Sequence, residues 1–366
     1  MGHGDAQTHG VERFAVNTDD SSIDESPIDD LLVEPDDDLD ALVHSADLDG
    51  LVRMIDDRCS IRDWPGLLRV RDRSRRAVET GRQLWPAATL AEYRLALLAP
   101  PRFVGAVLDE SDGLSGRFTI GPLTEVAAQH HTWAELAPHL DRGPRATFVA
   151  HERLLRGEAL PSDIADDLPP VLDLPFMFQR WEPDYPVAVY SDIGGEFDRP
   201  SLPDAWEPVP IGTSDDVEML DDDDVELAVG QLVEPWTASS NGRVEVVCVD
   251  GDAADAIAAL GVRSARWCPL SSDEALAWVA WAGSSGGAHG RRRGAATGRF
   301  GVWWLLAALG QFSEFAPNTD ELGELVAHLR WWRWDALEPE VGWQLQLAIA
   351  DPDDGTAWAI VARDEA

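Results

Sequence analysis

The chain of 366 residues is long enough for two ordinary domains, and its apolar fraction of 45% suffices for hydrophobic cores. Its formal net charge of -38 would repel free nucleic acid and anionic membrane surfaces overall. All 29 basic residues are arginine, which excludes lysine Schiff-base chemistry, lysine-anchored pyridoxal phosphate and the lysine of a P-loop or a kinase.

The cysteines and the apolar runs bear on the compartment. Cys59, Cys248 and Cys268 lie far apart and form no CxxC motif, which is typical of reduced intracellular thiols. The N-terminus lacks the cationic and apolar regions of a signal peptide. The longest apolar run, FGVWWLLAALG at 300–310, is too short to span a bilayer. We therefore expect a cytoplasmic protein.

The first half of the chain predicts a tail and a helical domain. Residues 1–36 are polar and acidic, which is typical of a disordered tail. Residues 37–160 have helical apolar spacing in short segments such as PRFVGAVL, PLTEVAAQHH and TWAELAPHL, separated by Pro and Gly. The pattern predicts an all-helical domain, either a bundle or a short α-solenoid. No repeat of fixed period identifies a repeat family.

The second half predicts a connecting region and an α/β domain. Residues 161–240 are rich in Pro and acidic residues, with short strands such as VAVY. In 241–366, the strand RVEVVCVD, the helix DAADAIAAL and the strand VRSARWCPL read as a βαβ unit. Two strands around the turn DPDDG close the chain as a hairpin, and alternating apolar residues place one face of it against a core. The predicted fold class is α+β or α/β, with a small mixed sheet in the last domain.

One helix of the last domain is predicted to lie at its centre. The segment GRFGVWWLLAALG is apolar nearly all round, which a helix on the protein surface cannot be.

The segment SSGGAHGRRRGAATGRF, residues 284–300, is the strongest candidate for chemistry. It contains neither the GxxxxGK[ST] of a P-loop nor the GxGxxG of a Rossmann fold. Its glycines recur every four residues, so they would form one bare stripe on a helix, although four glycines disfavour a helix. We interpret it first as a packing stripe or ordered loop whose arginines pair with internal acids. The alternatives are a mobile loop or a site for phosphate, nucleotide or carboxylate. The candidate anion-binding residues are Gly286, Gly287, Gly290, Arg291, Arg292, Arg293, Gly294 and Arg299.

Other polar and aromatic clusters carry weaker site hypotheses. A basic island could bind nucleic acid but lacks interleaved aromatic residues, so internal ion pairs are the favoured interpretation. Four histidines lie near Glu135 and Glu152 without metal-site spacing, and capping or core roles are favoured over a metal site. Asp250 and Asp252 follow a strand and could hold Mg²⁺, although Asp before a helix is also a good N-cap. Ten of the 16 tryptophans lie between Trp267 and Trp358, where core packing is favoured over a stacking platform for a flat ligand. The basic island comprises Arg69, Arg71, Arg73, Arg75, Arg76 and Arg82, and the histidines are His130, His131, His139 and His151.

Three phrases carry a family resemblance: GRQLWPAATLAEYRLAL, GPLTEVAAQHHTWAELAPHL and GGAHGRRRGAATGRFGVWWLLAAL. They resemble uncharacterised proteins of high-GC actinobacteria, over most of the chain past the acidic tail. The resemblance implies a bacterial cytosolic setting and supplies no activity or site residues.

The leading functional hypothesis is a non-catalytic interaction or scaffold protein with a helical docking surface for a protein partner. Its basis is that no nucleophile, base and orienting residue can be assembled from recognisable motifs. One alternative is an enzyme or sensor that binds a phosphorylated or nucleotide ligand at 286–299. Another is an acidic mimic of nucleic acid. The sequence identifies no catalytic residue and no cofactor, and it leaves open whether the protein is an enzyme.

Overall fold

The structure, a computed structural model, describes residues 35–109, 121–212, 217–339 and 341–365. The helices are α1 Asp37–Ser45, α2 Leu48–Ser60, α3 Trp64–Glu79, α4 Trp85–Leu98, α5 Pro101–Asp109, α6 Leu123–His130, α7 Trp133–Leu136, α8 Pro144–Leu155, α9 Ile164–Asp167, α10 Asp223–Leu232, α11 Glu234–Ala238, α12 Ala253–Ala259, α13 Ser272–Ser284, α14 Ala295–Leu309 and α15 Thr319–His328; a 3₁₀ turn, Ala137–His139, follows α7. The strands are β1 Val189–Ser191, β2 Gly194–Glu196, β3 Glu207–Pro208, β4 Glu218–Leu220, β5 Arg243–Asp250, β6 Arg266–Leu270, β7 Arg330–Asp335, β8 Trp343–Asp351 and β9 Thr356–Asp364.

Aspartates start the first three helices. Asp36, Asp47 and Asp63 each accept a hydrogen bond from the backbone N–H three residues further on. Such caps satisfy N–H groups that have no partner within the helix, and each is worth about 1 kcal/mol. Part of the negative charge of the chain therefore serves helix formation.

The helical region is a bundle around α4. This helix contacts α2, α3, α5 and α6, and most of its residues are buried. In a solenoid each repeat contacts only its neighbours in sequence. Helices α4 and α6 contact each other although α5 lies between them in sequence. This region is therefore a bundle and not an α-solenoid.

The last region is built on a seven-stranded sheet in the order β3-β6-β7-β8-β9-β5-β4. The α+β fold class predicted from the sequence is confirmed. Every strand pairing described is antiparallel, so the sheet is not mixed. The predicted βαβ segment exists as β5, α12 and β6, but β7, β8 and β9 separate its two strands. The sequence suggested a mixed sheet because a local strand-helix-strand pattern does not reveal that later strands insert between them.

Helices cover both faces of the sheet. On β8, Leu345, Leu347 and Ile349 face the core that contains α13 and α14, which confirms the predicted alternation. Ala348 and Ala350 face the opposite core, where α12 packs. Small residues on that face let α12 lie close to the strands.

Helix α14 is the centre of the last region, as predicted. None of its residues is fully exposed, and Trp303 and Leu306 are completely buried. Helix α13 packs along it, with Gly298 against the backbone of Ala280. No helix of the described ranges is long and apolar enough to cross a membrane.

The connecting region contributes to both cores. Ala188 and Tyr190, beside and within the β1–β2 hairpin, belong to the core of the helical region. Val225 and Val229 of α10 belong to the core of the last region. The predicted boundaries 37–160, 161–240 and 241–366 stay predictions, and most of the predicted tail, residues 1–34, lies outside the described residues.

Candidate functional site

The Gly/Arg loop, defined here as residues 285–294, connects α13 to α14. It is not helical, so the four evenly spaced glycines do not form a stripe, and of them only Gly298 lies in a helix. Gly286 packs against the backbone of Gly290, where a Cβ atom would have no room. The backbone N–H of Ala288 donates to the buried carboxylate of Asp364 over 2.6 Å. These contacts fit the ordered-loop alternative.

Gly294 ends the loop in a conformation that requires glycine. Its φ is 93°, and an added Cβ would lie 3.0 Å from Oε1 of Glu152. We expect Gly294→Ala to lower the free energy of unfolding by about 1–3 kcal/mol, measured by urea denaturation. The matched control is Gly230→Ala within α10, where an added Cβ meets nothing within 4 Å. That variant should be neutral or slightly more stable, and equal losses in both would contradict the strain assigned to Gly294.

Arg292 points from the loop into the protein. Its Nε and Nη2 donate to the two carboxylate oxygens of Glu125 on α6 over 2.8 and 2.6 Å. The Tyr190 hydroxyl donates to the same carboxylate over 2.6 Å. Glu125 is fully buried, and the Arg292 side chain is 10% exposed. This contact joins the bundle, the β1–β2 hairpin and the loop.

Two glutamates share the N-terminus of α14. Glu125 Oε1 accepts the N–H of Ala295 over 3.3 Å, and Glu152 Oε1 accepts that of Ala296 over 2.8 Å. A helix N-terminus favours negative charge, but Glu125 already provides it. Oε2 of Glu152 is buried without a hydrogen-bond partner in the described part of the chain.

The surroundings of these glutamates shift their pKa values in opposite directions. Burial alone would raise the pKa of Glu125, but the charge and hydrogen bonds of Arg292 outweigh it and hold the pKa below its usual value. Burial, and then the negative charge of Glu125, raise the pKa of Glu152 to about 8. At neutral pH, Glu125 is therefore ionised and Glu152 carries a proton. Opposed pKa values are typical of acid-base sites but also of structural networks, and both carboxyl groups are closed to solvent.

Arg299 is also held inside the protein. Its Nε and Nη2 donate to the carboxylate of Glu182 over 2.6 and 2.8 Å, and both side chains are completely buried. It donates further to the carbonyls of Pro175 and Met177. The ring of His151 lies 3.3 Å away, and burial followed by the charge of Arg299 lowers the histidine pKa to about 3.

Arg293 points to the opposite side of the loop. Its Nη1 donates to the carbonyl of Gln231 over 2.7 Å, and it takes part in no ion pair within the described ranges. Burial lowers its pKa, and the negative charge of Glu234 opposes this only partly. The neighbouring Arg291 lies at the surface. Within the predicted anion site, Arg293 is thus the half-buried arginine without a carboxylate in contact.

A shallow groove opens beside Arg293, with about 250 Å³ of empty space that includes open solvent. Helix α10 forms one side of it and helix α14 the other. Its lining combines the guanidinium with aromatic rings, bare glycines and few polar groups: Ala228, Gln231, Leu232, Gly283, Arg293, Thr297, Phe300, Gly301 and Trp304.

Residues of the predicted basic island form ion pairs within the protein, and the predicted carboxylate pair lies at the ends of a strand and a helix. Arg71 contacts Asp72 over 2.6 Å, and Arg75 contacts Glu92 over 3.3 Å. Asp252 caps α12, and Asp250 ends β5.

The predicted histidines and tryptophans also lie in the fold. His151 stacks on Phe176, with ring centroids 4.4 Å apart. His130 ends α6, and His139 ends the 3₁₀ turn. Within the described ranges, no three His, Cys, Asp or Glu side chains could hold a metal ion together. Most of the tryptophans from Trp267 to Trp358 are wholly or largely buried.

Sequence reasoning missed the acids that hold the arginines: Glu125, Glu182 and, as their neighbour, Glu152. Glu152 lies three or four positions from Phe148 and Leu155, so it interrupts an apolar helix face. A charged residue on such a face needs a buried partner. That signal could have identified Glu152 as a site residue, although not its neighbours.

The fold and the site define a class of protein. A helical bundle packs against a helix-covered antiparallel sheet, and two buried Glu–Arg pairs anchor the Gly/Arg loop and the helix that follows it. The chain belongs to DUF6183, a family of unknown function, whose match covers residues 49–366. No curated protein and no solved structure matches the chain.

Proposed function

We propose that this protein binds a small anionic ligand at the outer side of the Gly/Arg loop, with Arg293 as the cation that anchors it, and that its role is binding rather than catalysis. The observation that carries the proposal is the difference between neighbouring arginines. Arg292 and Arg299 pair with buried glutamates, whereas Arg293 is half-buried and contacts no carboxylate of the residues that the structure describes.

The physical reason is the cost of taking a charge out of water. A partly buried guanidinium loses hydration, and hydrogen bonds to carbonyl groups replace only part of it. An anion within reach would form charge-assisted hydrogen bonds, which are about twice as strong as neutral ones. The groove beside Arg293 is open to such a ligand.

The proposal is tested by melting the protein with and without sulfate or phosphate at constant ionic strength. We expect both anions to raise the melting temperature of the wild type, because a ligand at 100 times its Kd stabilises a protein by about 2.7 kcal/mol. Arg293→Ala should remove this response. It should lower the ligand-free stability only modestly, because it removes hydrogen bonds to the carbonyl groups of Gln231 and Leu232 and leaves no buried carboxylate of the described residues without its counter-ion.

The matched control is Arg142→Ala, which removes an arginine whose ion pair with Asp167 is largely exposed. Its response to the anions should equal that of the wild type. An Arg293→Ala variant that still responds like the wild type would overturn the proposal.

A second candidate function, docking of a protein partner on the helical side, is favoured by exposed apolar side chains. Ile193 is 89% exposed and Ile61 74%, and Ile193 lies in the turn of the β1–β2 hairpin, which packs on the bundle. We expect Ile193→Ser to weaken co-purification of a partner from the native host. Leu227→Ser, which alters an exposed apolar residue on α10, should not. Equal recovery with both variants would contradict this function.

We further propose a bacterial cytosolic setting. Cys59, Cys248 and Cys268 are all free thiols, which suits a reducing compartment. The nucleic-acid-mimic hypothesis still rests on net charge alone.

A further inference from the structure

Helix α14 has one face that is not fully buried. Thr297, Phe300, Gly301 and Trp304 are half-buried, whereas all other residues of the helix are buried. These positions are three and four residues apart, so they lie on one face. We call this face the α14 stripe.

The α14 stripe has an unusual composition for a surface. The solvent-facing side of a helix is normally polar or charged, but this stripe presents two aromatic rings and a glycine. Phe300 and Trp304 have ring centroids 5.7 Å apart, and both lie 5.3 Å from the ring of Phe315. The three rings form one aromatic surface that no described segment covers completely.

The guanidinium of Arg293 lies near the N-terminal end of the α14 stripe. Arg293 precedes Thr297 by one helical turn, and the Thr297 hydroxyl donates to its carbonyl over 3.1 Å. The guanidinium, the stripe and Gln231 line the same groove. The groove therefore combines a charged end with an aromatic wall.

Two glycines of the groove lining leave room for Leu232 of α10. A Cβ on Gly283 would lie 2.6 Å from Leu232 Cδ1, and one on Gly301 would collide with the same side chain. Because both positions are glycine, Leu232 packs against α13 and α14, where it forms part of the groove lining.

We propose that the α14 stripe binds the ring of a small aromatic carboxylate whose carboxyl group is held by Arg293. This inference rests on the proposed function and specifies its ligand. The ring matches Phe300 and Trp304, since aromatic pairs attract each other beyond the burial of their area. The single carboxylate of such a ligand matches the single guanidinium of Arg293 in the groove. The empty space of the groove, about 250 Å³, includes open solvent, so a ligand would lie on the α14 stripe and would not be enclosed.

The test titrates the full chain with three probes of equal charge: 2-naphthoate, its saturated analogue decahydro-2-naphthoate, and acetate. Binding is followed by ligand-detected NMR. We expect 2-naphthoate to bind about three- to tenfold more tightly than decahydro-2-naphthoate, because the two have the same number of ring carbons and stacking adds to simple apolar burial. Trp304→Leu should remove that advantage while the binding of acetate stays unchanged.

The control variant is Trp133→Leu, which removes a half-buried tryptophan from α7 in the bundle. It should keep the full preference for 2-naphthoate. Phe300→Leu provides a second test within the stripe if Trp304→Leu proves unstable, and it should reduce the same preference.

The outcomes separate this inference from the proposed function. If acetate and 2-naphthoate bind equally and both need Arg293, the aromatic specificity is overturned and anion binding stands. If binding of every probe is unchanged by Arg293→Ala, both are overturned. A preference for 2-naphthoate that survives both Trp304→Leu and Phe300→Leu would place the ring elsewhere and overturn the inference.

Discussion

Replacing Arg299 with alanine is expected to lower the free energy of unfolding by about 3–5 kcal/mol. The loss is large because Glu182 would remain as a completely buried carboxylate without its counter-ion. Burial alone would raise the pKa of Glu182, and Arg299 is the main group that holds it low. Urea denaturation of the purified variant at neutral pH measures the loss.

Two further variants make this expectation specific. Arg142→Ala breaks an exposed ion pair and should cost less than about 1 kcal/mol. The double variant Arg299→Met and Glu182→Leu leaves no unpaired buried charge, so it should cost less than Arg299→Ala alone. If Arg299→Ala lowers the free energy of unfolding no more than Arg142→Ala does, this result would contradict the complete burial of the Arg299–Glu182 pair.

The second large effect concerns pH and Glu152. Its pKa in the folded protein is raised to about 8 from a usual value of 4.5, chiefly by burial. The folded state therefore retains a proton that the unfolded state loses above about pH 4.5. The stabilisation due to this proton is fully present below about pH 4.5 and is lost as the pH rises through about 8.

Glu152→Gln imitates the protonated carboxyl group at every pH and keeps an oxygen that can accept the N–H of Ala296. Measured by urea denaturation at pH 5, 7 and 9, its stability relative to the wild type should increase with pH, by on the order of a few kcal/mol over the whole range. A stability difference that stays constant from pH 5 to 9 would contradict the assignment.

Glu125→Gln is the contrasting variant at the same helix end. It removes the carboxylate that Arg292 contacts, so it leaves a buried guanidinium without a counter-ion. We expect it to be less stable than the wild type at neutral pH, whereas Glu152→Gln is not.

Local sequence patterns predicted a helix or strand well where residues of high propensity for that structure are followed by a residue that ends it. RVEVVCVD matches β5 at both bounds, because a run rich in valine ends at an aspartate. The strand RWWRWD, β7, was not predicted, since its arginines interrupt the alternation that marks a strand. The order of the strands in the sheet could not be predicted, because nothing near β5 or β6 in the sequence shows that the closing hairpin, β8 and β9, lies between them.

In the candidate site, too, the local sequence did not show contacts between residues that lie far apart in the chain. The sequence identified the Gly/Arg segment and both possible uses of its arginines. It could not show that Arg292 points inward and Arg293 outward, because neighbouring residues of one type have the same local pattern. Their directions depend on the loop conformation, including the positive φ of Gly287 and Gly294, and on Glu125 far away in sequence.

The two buried ion pairs also bear on the order of folding. Arg292 contacts a residue 167 positions away, and Arg299 one 117 positions away. Closing such long loops costs entropy, so we expect these pairs to form after the local helices of the bundle and after the closing hairpin. Interactions that form late are absent from the transition state and act mainly on the unfolding rate. We therefore expect disruption of either pair to speed unfolding more than it slows folding.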